Sequence, residues 1–356
     1  MRVIFAAGER SGFVLAELLR KQLYAIEPGG ELFNINVGDE TGEIIGFSEP
    51  LANLVNGIST FKKAIETIRQ IKPEVAVLIS FPGINLPLGQ KLRSFGIPVI
   101  YISPPQFWAW GKFRVACLRR AADLVVCLFD FEQAILRRAG INAVYYGYPF
   151  FDGIKRHLLG HQVNDLLRLP DGTDYVVFLP GSRKPEIEFH QPLFVRVFGL
   201  LREKYPSLRA VLIGGRDGDL PAGMLRLEPD YRFDVIAYAR AVLAVSGTVT
   251  AEVAILGVPM VVSYHLNPVS RFLARLFVKL PYFSLPNIIA GERLVPEYLE
   301  PEPRQLSAAL KRVLADGDYR RRLIVGLQQV RKRLGPPGAI EKIARQILMF
   351  NGNRRY

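Results

Sequence analysis

Two short stretches carry residue types suited to holding a diphosphate. The first is Leu179-Pro180-Gly181-Ser182-Arg183, ending at Glu186, and the second runs Ser246-Gly247-Thr248-Val249-Thr250-Ala251-Glu252. Each follows an apolar run of strand type, Tyr175 to Phe178 and Ala241 to Val245, so each small-residue turn is expected to open a helix at the carboxyl end of a strand. Open α/β sheets bind their ligands at that end. Backbone N–H groups at a helix start, the hydroxyls of Ser246, Thr248 and Thr250 and the guanidinium of Arg183 together suit a diphosphate. Glu252, further into the second helix, is placed to accept hydrogen bonds from a ribose diol. The same chemistry also serves without a ligand, because Ser-Gly-Thr caps helices and Pro-Gly makes turns. Together the two stretches point to a nucleotide-sugar binder.

Such turns need parallel sheets to carry them. Val3 to Ala7, Val75 to Ile79, Val99 to Ile102 and Leu124 to Leu128 are apolar runs short enough to be strands buried on both faces, with helices expected over Ser11 to Tyr24, Thr60 to Ile71 and Phe131 to Arg138. From Gly153 to Asp174 the rhythm lapses, and a linker is expected there. Strands at Val176 to Leu179, Ala210 to Ile213, Ala241 to Val245 and Val258 to Ser263 then restart it, with helices over Pro192 to Glu203 and Ala339 to Phe350. At 356 residues the chain exceeds the usual single core. The expected architecture is α/β, two Rossmann-like domains facing across a cleft, one spanning 1–165 with a returning C-terminal helix at about 338–356, the other spanning 170–335.

A net charge of +13 favours anionic partners. Basic residues gather at Lys112, Arg114, Arg119 and Arg120, at Arg137 and Arg138, and from Arg320 to Arg333. Ser270 to Val278 interleaves Arg271 and Arg275 with Phe272, Leu273, Leu276 and Phe277, a pattern shared by basic amphipathic helices at membranes and by half-buried helices with solvated arginines. No helix-turn-helix, RNA-recognition or zinc signature accompanies the charge, so no nucleic-acid partner is expected. Two isolated cysteines, Cys117 and Cys127, offer no disulfide framework. Met1 to Ala7 reads as a first strand and no run approaches the ~20 apolar residues of a spanning helix, so membrane contact is expected to be peripheral. His190 is expected in a solvated loop, and His265 to border the donor.

Further motifs are more specific. Ala7-Gly8-Glu9-Arg10-Ser11-Gly12, Tyr101-Ile102-Ser103-Pro104 running to Trp108-Ala109-Trp110, the two diphosphate stretches and Leu285-Pro286-Asn287-Ile288-Ile289-Ala290-Gly291 resemble, in order and over nearly the whole chain, the lipid-A-disaccharide synthase family of GT-B glycosyltransferases. The resemblance implies an inverting transfer that needs no metal or other cofactor. UDP-2,3-diacylglucosamine would donate its sugar to the 6-hydroxyl of 2,3-diacylglucosamine 1-phosphate, on the inner face of the inner membrane. It implies nucleotide contacts at Arg183, Ser246, Gly247, Thr248, Glu252 and Asn287 and an acceptor or lipid side at Ser11, Ser103, Trp108 and Trp110, and it leaves a homodimer open. Asn287 also fits a plain helix cap, and the two tryptophans also fit core packing.

The chain departs from the family where the base is expected. Relatives usually carry Asp where this chain has Phe13, and aspartates in the segment matching Ser80-Phe81-Pro82-Gly83-Ile84-Asn85, of which Pro82 and Asn85 match. Their Gly-His-Pro appears as Gly147-Tyr148-Pro149, with Asp152 following. Glu9 is then the first candidate for the base, with Asn85 the second catalytic candidate, although a carboxylate at position 9 also suits a helix cap or the binding of a substrate hydroxyl. A non-catalytic or altered-acceptor paralogue that binds UDP-sugar or lipid is the alternative function.

Overall fold

The computed structural model describes residues 1–38, 50–105, 113–265 and 281–352. Trp108, Trp110 and the Ser270 to Val278 segment lie outside the described residues. The chain divides into two units, one containing Met1–Gly153 with Leu334–Tyr356, the other Ile154–Leu266 with Leu280–Arg333.

The first unit holds a parallel sheet of β1 (Arg2–Ala7), β2 (Glu31–Asn36), β3 (Val75–Ile79), β4 (Val99–Ile102), β5 (Leu124–Val126) and β6 (Ala143–Val144), in the order β2-β1-β3-β4-β5-β6. Every residue of β3 and β4 is inaccessible to solvent, as their unbroken apolar runs require of strands covered on both faces. Helices α1 (Arg10–Ile26), α2 (Pro50–Ile71), α3 (Pro82–Ser94), α4 (Phe113–Ala121) and α5 (Asp130–Arg138) alternate with the strands. Helix α2 begins well before Thr60, because proline at a first helical position lacks only an N–H that has no intrahelical partner.

The second unit repeats the plan. A short helix α6 (Gly160–Leu167) stands where the sequence suggested only a linker. Its parallel sheet orders as β12-β11-β10-β7-β8-β9, built from β7 (Tyr175–Leu179), β8 (Arg209–Ile213), β9 (Met224–Leu227), β10 (Ala241–Val245), β11 (Met260–Tyr264) and β12 (Glu297–Leu299). Around it lie α7 (Lys184–Arg202), α8 (Arg232–Ala237), α9 (Thr248–Leu256), α10 (Leu285–Ala290), α11 (Pro303–Ala315) and α12 (Gly317–Arg333). Helix α7 begins at Lys184 and not at Pro192, which sits inside it.

The last helix, α13 (Ala339–Gly352), packs against α1 within the first unit. Asp152 fastens its start by accepting the N–H groups of Gly338 and Ile340, the latter at 2.7 Å. That carboxylate is therefore a helix anchor, and Tyr146 adds a 2.7 Å hydrogen bond to Gln346 further along.

Much of the positive charge is spent inside the fold. Arg2 donates to Ile71 O at the end of α2, Arg93 to the carbonyls of Arg119 and Arg120 at the end of α4, and Arg119 to Ala139 O after α5. Arg331 donates to Ile255 O at the end of α9, and Arg333 to Ile289 O at the end of α10. A guanidinium satisfies orphan carbonyls and opposes the negative end of the helix dipole. The basic clusters at 119–120 and 331–333 thus belong partly to the architecture.

Candidate active site

In a doubly wound sheet the ligand crevice opens where strand order reverses. In the first unit that point lies between β1 and β3, whose last residues Ala7 and Ile79 are paired. Gly8-Glu9 and Ser80-Phe81 therefore leave the sheet side by side. The approach is close: a Cβ on Gly8 would lie 2.5 Å from the Phe81 ring, and one on Gly38 would lie 2.2 Å from Gly8 O. Glycine is required at both places.

Glu9 is half-buried with extended backbone, φ −144° and ψ 159°. Its carboxylate accepts a 3.2 Å hydrogen bond from the Ser11 hydroxyl, and α1 has no side-chain cap. The capping alternative for Glu9 is thereby set aside.

Across from it the backbone is strained. Ser80, Phe81 and Ser103 have φ of 51°, 50° and 61°, left-handed values at the ends of β3 and β4 where none is glycine. Such residues cost on the order of 1–3 kcal/mol each and gather at functional sites. Two side chains hold the bend. Tyr101 donates from its hydroxyl to Ser80 O at 2.6 Å, and Asn85 Nδ2 lies 3.2, 3.1 and 3.0 Å from the carbonyl oxygens of Ala6, Ile79 and Ser80.

Asn85 is wholly inaccessible, with its amide nitrogen directed at the chain. It braces β1 against β3 and does not touch a substrate, which corrects its expected catalytic contact to a positioning role. Tyr101 belongs to the motif Tyr101 to Pro104 but carries no role on sequence grounds, although a hydroxyl in the otherwise apolar run Val99 to Ile102 marks it. Burial pushes its phenol well above the ordinary range; the nearby Glu9 charge adds to this and Arg114 opposes it. Tyr101 therefore keeps its proton and is not the base.

In the second unit the reversal lies between β7 and β10, where Leu179 pairs with Ala244. Both diphosphate stretches emerge there together. Gly181 has φ +106°, and a Cβ on it would meet Glu186 Oε2 at 2.5 Å. Glu186 turns back to accept the N–H groups of Ser182 and Arg183 at 3.1 and 3.3 Å. The carboxylate thus closes the first turn and uses its amides. The Arg183 guanidinium, 3.6 Å from Glu186 Oε1, remains partly exposed.

The second turn is arranged differently. No side chain caps α9, and among the described residues the leading amides at Thr248 and Val249 have no hydrogen-bond acceptor. The hydroxyls of Ser246 and Thr250 are spent on Phe283 O at 3.1 Å and Gly247 O at 2.7 Å. Gly247 is extended, and a Cβ there would meet no protein atom. Among the described residues nothing demands glycine at 247, whereas close approach of a phosphate would.

Glu252 is nearly buried, and its Oε1 lies 3.3 Å from Arg232 Nη2. Asn287 is fully buried, with both ends of its amide bonded to the Val295 backbone at 2.9 and 2.8 Å. It clamps the loop after α10, and the nucleotide contact expected of it is not made available. His190 stands inside α7 and not in a solvated loop, its Nδ1 2.9 Å from Glu186 O. Burial holds its pKa down to about 4, so it is neutral near pH 7.

A family model described as lipid-A-disaccharide synthetase matches residues 3–336. The chain belongs to that family. It is 30% identical over 380 residues to a lipid-A-disaccharide synthase of Geobacter sulfurreducens, covering 99% of this chain and 98% of the relative. It is 31% identical to that of Solibacter usitatus, with 98% and 97% covered. Among solved structures, a UDP-GlcNAc 2-epimerase from Neisseria meningitidis bound to UDP-GlcNAc superposes with TM-score 0.69 at 13% identity, over 98% of this chain and all of that one. The glycosyltransferase SnogD from Streptomyces nogalater gives 0.64 at 16%, covering 99% and 100%. These likenesses establish the GT-B fold with its two Rossmann-like domains.

Proposed function

We propose that the chain transfers 2,3-diacylglucosamine from its UDP donor to the 6-hydroxyl of 2,3-diacylglucosamine 1-phosphate with inversion, releasing UDP, in lipid A biosynthesis. The observation that carries the reading is the uncapped first turn of α9 behind Gly247, at the strand reversal of a chain belonging to this family. In-line displacement needs a base for the acceptor proton and positive charge for the departing diphosphate. Glu9 supplies the base. The α9 dipole, its open amides and Arg183 supply the charge.

Calorimetry with UDP in EDTA is expected to show binding, since these groups balance the diphosphate without a metal. Glu252→Ala is expected to weaken that binding by about 1–3 kcal/mol through loss of the ribose hydrogen bonds. Glu252→Gln, which removes the charge opposite Arg232 and keeps an acceptor oxygen, separates loss of the ion pair from loss of the ribose hydrogen bonds. An affinity unchanged in folded Glu252→Ala removes the ribose role.

Acylated substrates place the enzyme at a bilayer. Among the described residues no helix is long and apolar enough to cross one. The reading is peripheral attachment to the inner face of the inner membrane, with exposed Lys62 and Lys63 of α2 facing anionic lipid and Ser270 to Val278 supplying apolar contact. Co-sedimentation with anionic vesicles is expected to fall as salt is added, because exposed charges are screened beyond ~8 Å at physiological ionic strength. Equal partitioning onto neutral and anionic vesicles removes the electrostatic part.

A further inference from the structure

A cluster in the second unit has a fixed geometry that none of the assigned roles uses. His265 follows β11 directly, and its Nδ1 stands 2.6 Å from Glu300 Oε2. Glu300 follows β12 with φ of 53°, another left-handed residue that is not glycine. Phe189 of α7 lies flat against the imidazole, centroids 3.6 Å apart and planes 13° from parallel. Stacking fixes the plane of the ring, and the carboxylate fixes its rotation. A carboxylate at Nδ1 keeps that nitrogen as N–H and makes Nε2 the working atom.

The position of the ring matters as much as its orientation. Val245 pairs with Ser263, and Ser246 N–H donates to Ser263 O at 2.9 Å, so His265 leaves β11 at the level where Gly247 leaves β10. The backbone at His265 is thus level with the turn that opens α9. The neighbouring Tyr264 senses Glu186 and Arg183, so the turn after β7 is close as well. His190, facing the pair from α7, is neutral and adds no competing charge near pH 7. The His265 side chain keeps 30% exposure, and a partly exposed pair of this kind adds little to stability. Stability is a weak reason to build such a device.

We propose that His265, oriented by Glu300 and Phe189, donates a hydrogen bond from Nε2 to the diphosphate of the bound nucleotide and steadies the charge that develops there as the sugar departs. This rests on the transferase reading above. In the step, the bond between the sugar C1 and the diphosphate oxygen breaks with its electron pair staying on that oxygen. The acceptor oxygen bonds to C1, and its proton passes to Glu9. Held between the Glu300 carboxylate at Nδ1 and the diphosphate at Nε2, the ring donates from both nitrogens, as only an imidazolium can, and keeps both protons throughout as it contributes a charge-assisted hydrogen bond. Glu300 is a positioning residue, which holds the ring through Nδ1.

The test compares UDP with uridine, which carries base and ribose without phosphate, by calorimetry for UDP and by competition against UDP for uridine. His265→Phe is expected to weaken UDP about tenfold while leaving uridine unchanged, in keeping with loss of one charge-assisted hydrogen bond. His265→Gln, which retains an N–H of similar reach, and Glu300→Gln are expected to fall between that variant and the parent. Equal weakening of UDP and uridine would mean that the cluster only shapes the fold, and unchanged UDP affinity would mean that it makes no contact; either overturns the proposal. A parent that binds UDP alongside variants of unchanged affinity defeats this inference alone, whereas a parent that binds no UDP defeats the transferase reading and this inference with it.

Discussion

Glu9→Gln is expected to slow sugar transfer about 10²–10⁴-fold while UDP affinity stays nearly constant, because the amide keeps the size and polarity of the carboxylate and removes the base. The expectation rests on where Glu9 stands. It leaves β1 at the strand reversal, beside strained Ser80 and Phe81, with its carboxylate held by Ser11 and not spent as the cap of α1. This chain has Phe13 after Gly12 and no acidic residue within Ser80 to Asn85, so among the described residues Glu9 is the carboxylate at this turn. Ser11→Ala is expected to cost far less, since it removes an orienting hydrogen bond and leaves the base. A Glu9→Gln protein that turns over like its parent excludes Glu9 as the base.

Asn85→Asp is expected to destabilise the first unit by about 3–5 kcal/mol at neutral pH, the scale of an uncompensated buried charge. The isosteric carboxylate would replace an N–H donor that faces the carbonyls of Ala6, Ile79 and Ser80, at a position without solvent access. Burial among oxygens raises the new acid's pKa in the folded state above its unfolded value of about 3.9, so folding favours the protonated form. The penalty is therefore smallest in acid and grows as pH rises through and beyond that unfolded value. Thermal unfolding of the variant against pH checks this; a melting temperature equal to the parent's at neutral pH would show that Asn85 does not brace the two strands.

The central strands were legible because burial on both faces leaves an unbroken apolar run, and the readings of Val75 to Ile79, Val99 to Ile102 and Ala241 to Val245 match the observed strands residue for residue. The less buried strands were not. β2 alternates exposed and half-buried residues with one buried position, and β9 is mostly half-buried, so neither carries that signal. Helix α3 was hidden by Pro82 at its start and Pro87 inside it. The same distinction governs the site. Turn chemistry after a strand is local, so both diphosphate stretches could be found and placed. The tasks of Asn85, Asn287 and His265 depend on partners distant in sequence, Ala6, Val295 and Glu300, and no spacing rule exposes them. Nor does composition reveal that Arg93, Arg119, Arg331 and Arg333 close helix ends, which reduces the charge that can be assigned to a partner.

The most direct measurement is sugar transfer by the purified chain, supplied with radiolabelled UDP-2,3-diacylglucosamine and 2,3-diacylglucosamine 1-phosphate in EDTA. The account predicts labelled disaccharide and UDP in equal amounts, lost in Glu9→Gln. A parent chain that binds UDP yet transfers no sugar to this or any other acylated acceptor would contradict it and leave a binding protein that has kept the nucleotide turn without the chemistry.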